Sequence, residues 1–112
     1  MSNIRQLFEE SINVKSKILE TGVFIILSKM GDEISNAIQA NNKIMLCGNG
    51  GSAADAQHLA AELMGRYKVD RNPLPAISLT VDTSAITAIG NDYGYENIFS
   101  RQLKGIGVKG DM

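Results

Sequence analysis

The stretch KIMLCGNGGSAADAQHLAAELMG, residues 43–65, carries the most informative pattern in the sequence. It opens with a short apolar run, Lys43 to Cys47, which shows no helical period and is typical of a buried strand. Glycines at three of the next four positions, 48, 50 and 51, predict a tight loop. The Ala-rich segment from Ser52 to Gly65 then favours a helix. The stretch therefore predicts a strand, a glycine loop and a helix in direct succession.

The segments before this stretch predict helices. Apolar residues recur at helical spacing from Ser2 to about Thr21, which indicates an amphipathic helix. The segment Val23 to Met30 is apolar on almost every side, which predicts a further helical segment that is buried against another part of the structure. We interpret Gly31-Asp32 as a break and a restart, before a second helix that stops near Asn41-Asn42.

The segments after it predict one strand and two helices. They are residues 76–81 as a strand, 84–89 as a helix that ends at Gly90-Asn91-Asp92, and 96–104 as a further helix. Helices that alternate with short buried strands indicate an α/β domain with a parallel sheet. Two parallel strands do not make an independent sheet, and another strand is expected to begin at Asp111-Met112. We therefore expect a fragment of a longer protein, or a product that needs partner chains.

Composition restricts the class of protein. With 112 residues, 44% hydrophobic and 21% charged, the chain has the make-up of one small soluble domain. A net charge of -1 gives no field that would gather nucleic acid, although one phosphate group is compatible with it. The longest apolar stretch, Val23 to Leu27, is far shorter than the roughly 20 residues that span a membrane. The single cysteine, Cys47, excludes an internal disulfide. We expect a cytoplasmic protein without nucleic-acid or membrane partners.

The glycine loop is the first candidate site. Glycine lets a backbone approach a ligand closely, and the helix start beyond the loop offers free N–H groups and a positive dipole end. The loop therefore predicts an anion site, most often for phosphate; the alternative is a tight turn without a ligand. Gly48-x-Gly50-x-x-Ala53 also matches the dinucleotide fingerprint. Asp70 has the spacing of the acidic residue that this fingerprint needs, but it precedes a proline loop instead of following a strand.

The second candidate site is one face of the helix after the loop. At 100° per residue, Asp55, His58 and Glu62 fall within an arc of roughly 60°. His58 and Glu62, four residues apart, can share a metal ion, and a carboxylate there can act as a base. The alternative is a solvated polar face, and Asp55 is also explained as part of a capping box with Ser52. The opposite side carries alanines that allow tight packing: Ala53, Ala56 and Ala60.

The third candidate site is Gly90-Asn91-Asp92-Tyr93-Gly94, after the second predicted βα unit. In open α/β sheets, ligands bind outside the carboxyl ends of the strands, so this segment can lie at the same edge as the glycine loop. Asn91 and Asp92 could hold sugar hydroxyls there. The alternative is an ordinary turn.

Three segments together strongly resemble the phosphoheptose isomerases of the SIS (sugar isomerase) superfamily. They are CGNGGSAADAQHLAAELMGRY (47–67), AISLTVDTSAITAIGNDYGYENIFSRQ (76–102) and GIGVKGDM (105–112). The resemblance runs from about Lys43 to Met112 and implies a doubly wound α/β sheet. We divide the chain into N-terminal helices, residues 1–42, and the first part of an SIS domain, residues 43–112, and we expect the N-terminal helices, residues 2–30 above all, to serve in oligomer packing.

The resemblance implies a homotetramer that converts sedoheptulose 7-phosphate to the heptose 7-phosphate aldose, a step toward the activated heptose of bacterial surface polysaccharides. It implies a zinc ion with His58 and Glu62 as ligands, and Glu62 as the acid/base that moves a proton between C1 and C2. The remaining implied contacts are to substrate: Asn49, Gly50, Gly51 and Ser52 in the loop, with Ser52 at the phosphate, and Asn91 and Asp92 at the sugar.

The sequence also departs from the family. The family has a Ser/Thr-rich phosphate loop after the next strand, and a late helix that supplies Gln and His; this sequence ends before both and has no second histidine. We expect the 112-residue chain to be inactive by itself. The alternatives are a sugar-phosphate-sensing SIS module and a non-catalytic SIS protein that associates with the bacterial replication initiator. The latter lacks a glutamate at the position of Glu62, so Glu62 favours the enzyme.

Overall fold

A computed structural model describes residues 3–112. Its elements, in chain order, are α1 (Ile4–Leu19), α2 (Val23–Gln39), β1 (Ile44–Leu46), α3 (Gly51–Met64), β2 (Ala76–Ser78), α4 (Thr83–Tyr93), a 3₁₀ turn (Tyr95–Asn97) and α5 (Ser100–Ile106). The chain forms two compact units, residues 1–33 and 34–112. In the described part of the chain, no helix has the length and apolar character needed to cross a bilayer.

The first helix agrees with its sequence pattern. The Asn3 side chain accepts a hydrogen bond from the backbone N–H of Arg5 and so caps the start of α1. The predicted helix over Ser2 to about Thr21 is confirmed for the described residues, and Ser2 itself lies outside them. The apolar positions of α1, including Leu7 and Phe8, are exposed in the single chain.

The second helix corrects two predictions. α2 runs without interruption through Gly31-Asp32, so the predicted break is wrong. A glycine inside a helix costs only about 1 kcal/mol relative to alanine, and the residues on both sides of it continue the helical pattern. The apolar segment Val23 to Met30 is also not buried by this chain, because Phe24 is 48% and Ile25 is 77% exposed.

The sheet is centred on β1. β1 pairs in parallel with β2, with Ile44 opposite Ala76 and Leu46 opposite Ser78. On the other edge of β1, the backbone N–H of Met112 donates to the carbonyl of Lys43 (3.1 Å), and the N–H of Met45 donates to the carbonyl of Met112 (2.7 Å). The chain thus passes from β1 to β2 on one side and returns to the other side at Met112. This is the reversal of a doubly wound sheet, and the prediction of an incomplete α/β fold is confirmed.

Asp111 holds this return segment against β1. Its carboxylate accepts hydrogen bonds from the side-chain ammonium and the backbone N–H of Lys43, and from the N–H of Val108 (2.8 Å). The Lys43 ammonium, followed by these backbone N–H groups, holds the pKa of Asp111 well below its ordinary value. The contact therefore joins positions 68 residues apart at the start of β1.

The core lies between α3 and the sheet. Ala56 and Ala60 are buried, as are Ile44 in β1 and Leu79 just after β2. Alanine leaves room for the helix backbone to approach the sheet, so the predicted tight packing of this face is confirmed. This close packing of α3 on the sheet fixes how far the opposite face of α3 lies from the two strands.

The third predicted site lies in a helix and not in a turn. Asp82 caps α4 by accepting from the N–H of Ala85 (2.8 Å), which starts the helix early and shortens β2 to Ala76–Ser78. α4 then continues through Gly90-Asn91-Asp92 to Tyr93. The predicted end of the helix at Gly90 is therefore wrong; the helix ends at Gly94, whose φ of 91° favours glycine. The predicted helix over 96–104 is divided into the 3₁₀ turn and α5.

Candidate functional site

The glycine loop joins the carboxyl end of β1 to α3, and two of its glycines are required by the geometry. Gly50 has φ 58° and ψ -123°, a conformation that is essentially restricted to glycine. A Cβ on Gly48 would lie 2.7 Å from the Ser52 carbonyl oxygen and the Ser52 Cβ. Gly51, in contrast, has open space where a Cβ would stand. The number of glycines therefore reflects a close approach at position 48 and a special backbone conformation at position 50.

The loop presents unpaired hydrogen-bond donors. Within residues 3–112, the backbone N–H groups of Asn49, Gly50 and Gly51 have no hydrogen-bond partner, whereas the N–H of Ser52 already donates to the Asn49 carbonyl (3.0 Å). These three groups lie at the positive end of the α3 dipole. Consecutive free N–H groups at a helix start favour an anion. An anion site at this loop stays a prediction, which the three free N–H groups favour.

The structure contradicts two interpretations that were based on the spacing of residues in the sequence. The capping box of Ser52 and Asp55 is wrong, because α3 starts at Gly51, its N-cap is Gly50, and no side chain caps it. Asp55 is exposed and makes no side-chain hydrogen bond to any residue that the structure describes. Asp70 lies in the loop before β2 and not at the end of a strand, so it does not take the position of the acidic residue in a dinucleotide site.

His58 and Glu62 meet on the outer face of α3. His58 Nε2 lies 3.1 Å from Glu62 Oε1, with side-chain exposures of 73% and 35%. Both line a groove of about 490 Å³, whose other walls are mainly apolar side chains of α2, β1 and α3. Imidazole nitrogen and carboxylate oxygen are both zinc ligands, so the pair can contribute two ligands. Among the described residues, no three His, Cys, Asp or Glu side chains gather closely enough to hold a metal.

Arg71 is a residue of this region that the sequence did not single out. Its guanidinium donates to the backbone carbonyls of Glu62 (2.8 Å), Leu63 (3.0 Å) and Asn72 (3.0 Å), and it lines the same groove as His58. The last carbonyls of a helix lack partners within the helix, and a cation there also offsets the negative dipole end. An arginine shortly after a predicted helix end was the available signal. Arg71 therefore fixes the turn of α3 that carries Glu62.

The Gly90–Gly94 segment is linked to the glycine loop by the residue that follows it, Tyr95, which was not predicted from the sequence. Asn91 and Asp92 are exposed and hydrogen-bond to each other (2.9 Å), with no hydrogen bond from either side chain to the loop within residues 3–112. Instead, the Tyr95 hydroxyl donates to Asn49 Oδ1 (3.1 Å). The structure thus brings together the first and third predicted sites, and Tyr95 makes the contact.

The chain is similar to known proteins along most of its length. It is 50% identical over 112 residues to the phosphoheptose isomerase of Aquifex aeolicus, covering 100% of this chain and 58% of the relative. It is 65% identical over 78 residues to the phosphoheptose isomerase of Akkermansia muciniphila, covering 70% of this chain and 41% of that relative. The chain therefore spans about half the length of the curated relatives it matches.

The fold is shared as well. The solved structure of phosphoheptose isomerase GmhA from Neisseria gonorrhoeae matches with a TM-score of 0.85 and 42% identity, covering 96% of this chain and 55% of that one. A model of the SIS domain matches residues 6–112, which includes both strands, the glycine loop and α3. The chain belongs to the SIS domain family.

Proposed function

We propose that this chain is part of an aldose–ketose isomerase that converts sedoheptulose 7-phosphate to D-glycero-D-manno-heptose 7-phosphate. The observation that carries the proposal is the pairing of two features on α3. Three free N–H groups lie at its start, and the His58–Glu62 pair lies on its outer face. The names of the relatives support the same activity.

Substrate binding follows from the donors and acceptors of the loop. The N–H groups of Asn49, Gly50 and Gly51 contact the substrate, and Ser52, whose side chain is exposed in the first turn of α3, supports the phosphate. Asn91 and Asp92 bind sugar hydroxyls. Their mutual hydrogen bond is compatible with this role, because a carboxylate and an amide retain further lone pairs and N–H donors.

The chemistry needs a base that reaches two adjacent carbons. Glu62 takes a proton from C1, the C–H electron pair forms the C1=C2 bond of an enediol, and the C2 carbonyl oxygen takes up a proton. The O1 hydroxyl then loses its proton as the C1 aldehyde forms, and Glu62 returns a proton to C2. Arg71 keeps the backbone of Glu62 in place during both transfers through the 2.8 Å contact.

His58 and Glu62 are the residues that would hold a zinc ion. Their nitrogen and oxygen donors, 3.1 Å apart on one helix face, suit that metal as two of the usual four ligands. A bound zinc ion supplies positive charge near the oxygens that become negative during enolisation.

The assembly and the cellular setting complete the proposal. The exposed apolar positions of α1 and α2, Leu7, Phe8, Phe24 and Ile25 among them, support packing of residues 1–42 in a homotetramer. The proposed setting is the cytoplasm, where the product leads toward the activated heptose of lipopolysaccharide or capsule.

The test uses a chimaera, because the chain aligns over all its residues with 58% of the Aquifex aeolicus relative. Residues 1–112 replace the aligned part of that enzyme, and turnover of sedoheptulose 7-phosphate is followed in deuterated water. We expect turnover, with deuterium at C2 of those product molecules in which the Glu62 proton exchanges with solvent before its return, a loss of at least about 100-fold in Glu62→Gln, and normal activity in the exposed control Glu33→Gln. Binding without any turnover in the folded chimaera would instead favour a non-catalytic SIS module.

A further inference from the structure

The contact between Tyr95 and Asn49 joins two loops that are 46 residues apart in sequence. Gly94 makes this contact possible, because its φ of 91° ends α4 and turns the chain so that Tyr95 follows in the 3₁₀ turn. The last glycine of the Gly90–Gly94 segment therefore has a structural purpose: it places the next side chain at the glycine loop.

The hydrogen bond also holds the Asn49 amide in the orientation seen in the structure. A phenol O–H is a donor to the Asn49 carbonyl oxygen, so Oδ1 faces the tyrosine. In a planar amide the NH₂ group lies on the other side of Cγ, and it faces away from Tyr95. In the described part of the chain, Asn49 Nδ2 makes no hydrogen bond. Within residues 3–112 the amide NH₂ is therefore a free donor on the same loop that carries the three free backbone N–H groups.

We propose that Tyr95 is a positioning residue that fixes the Asn49 amide with its NH₂ group as a donor to a hydroxyl or carbonyl oxygen of the bound sugar phosphate. The assignment of the ligand rests on the proposed function, whereas the amide orientation stands on the contact alone. Without the Tyr95 hydroxyl the amide loses the hydrogen bond that holds it, and both of its orientations become accessible. Tyr95 thereby holds the amide with its NH₂ group free and acts through Asn49.

The first experiment tests the orientation without any ligand. In the ¹⁵N-labelled protein, Tyr95→Phe is expected to shift the side-chain NH₂ signals of Asn49 and to change their exchange with water. Tyr93→Phe is the matched control, because the Tyr93 hydroxyl accepts from Arg101 (3.0 Å) and does not bind Asn49. Unchanged Asn49 side-chain signals in Tyr95→Phe, with intact backbone spectra, would overturn the proposal. This outcome does not depend on the function of the protein.

The second experiment tests the ligand. Titration of the Aquifex aeolicus chimaera with sedoheptulose 7-phosphate is expected to show binding about fivefold weaker when it carries Tyr95→Phe, with no further loss when Tyr95→Phe is added to Asn49→Ala. Binding of inorganic phosphate, held by the backbone N–H groups, stays the same. Additive losses in the double variant would overturn the role through Asn49. If the folded chimaera without these substitutions does not bind the sugar phosphate, the proposed function fails and the sugar donor role fails with it, while the first experiment still decides the amide orientation.

Discussion

Arg71 donates a 2.8 Å hydrogen bond to the backbone carbonyl of Glu62, the residue that we propose as the acid/base. The contact is to the main chain, so it leaves the Glu62 carboxylate free to meet His58. The guanidinium therefore holds the helix turn while the side chain remains available for chemistry.

Replacing Arg71 should loosen the last turn of α3. In Arg71→Met the carbonyls of Glu62 and Leu63 lose their donor while the apolar stem of the side chain is retained, and we expect a local cost of about 1–2 kcal/mol. Amide hydrogen exchange in the last turn of α3 should accelerate about 5- to 30-fold. The control is Arg66→Met, since Arg66 is exposed. Equal exchange rates in the two variants would contradict the role given to Arg71.

The glycine loop should tolerate a methyl group at one position and not at another. In Gly48→Ala the new Cβ meets the backbone of Ser52 at 2.7 Å, so the loop or the helix start must move at a cost of about 1–3 kcal/mol. In Gly51→Ala the Cβ meets nothing within 4 Å, and we expect about 0.5–1 kcal/mol of stabilisation because glycine is a poor helix residue. Urea denaturation of the two variants measures the difference, and a reversed order would show that the close approach at Gly48 is absent.

The buried alanine face of α3 should resist larger side chains. Ala60 is 8% exposed and lies against the sheet, so Ala60→Leu is expected to lower the free energy of unfolding by about 1–3 kcal/mol. Its neighbour Ala61 is exposed, and Ala61→Leu should change the stability by less than about 0.5 kcal/mol. Urea denaturation again provides the comparison. Similar values for the two variants would mean that α3 does not pack as closely as described.

Asp111 should stabilise the fold in a pH-dependent way. Because the Lys43 ammonium lowers the pKa of Asp111 in the folded state, its contribution is complete above the unfolded pKa of about 3.9 and disappears as the pH falls through the folded value. Asp111→Asn should therefore be less stable than the unmodified chain by a constant amount between pH 5 and pH 7, and the gap should narrow below about pH 4. Urea midpoints at several pH values, with the exposed Asp70→Asn as a control, measure it. A difference in stability that grows as the pH falls would contradict the lowered pKa of Asp111 in the folded state.

Much of the fold and part of the site were predictable from local patterns. The strand, loop and helix of residues 43–65 form as expected, since a short apolar run, clustered glycines and an Ala-rich segment are each local signals. The His58–Glu62 contact is equally local, because residues four apart on a helix are neighbours. The break at Gly31 was wrongly predicted, since one glycine does not outweigh the helical residues around it.

The contacts that cross the sequence were not predictable in the same way. Nothing near Asn49 indicates that Tyr95 contacts it. The place of Arg71 shortly after a predicted helix end was a signal, but it does not specify the Glu62 carbonyl as the partner. The end of α4 at Gly94 was also missed, because it depends on a backbone turn that places the 3₁₀ segment against another loop.

By itself, the sequence determined the order of the elements, the glycine loop, the polar face of α3 and the resemblance to a family, because these depend on neighbouring residues and helical periodicity. Three contacts became visible in the folded chain alone: Met112 against the free edge of β1, Asp111 on Lys43, and the Tyr95 hydroxyl on Asn49. The physical reason is that hydrogen bonds act over about 3 Å in space and are indifferent to distance along the chain.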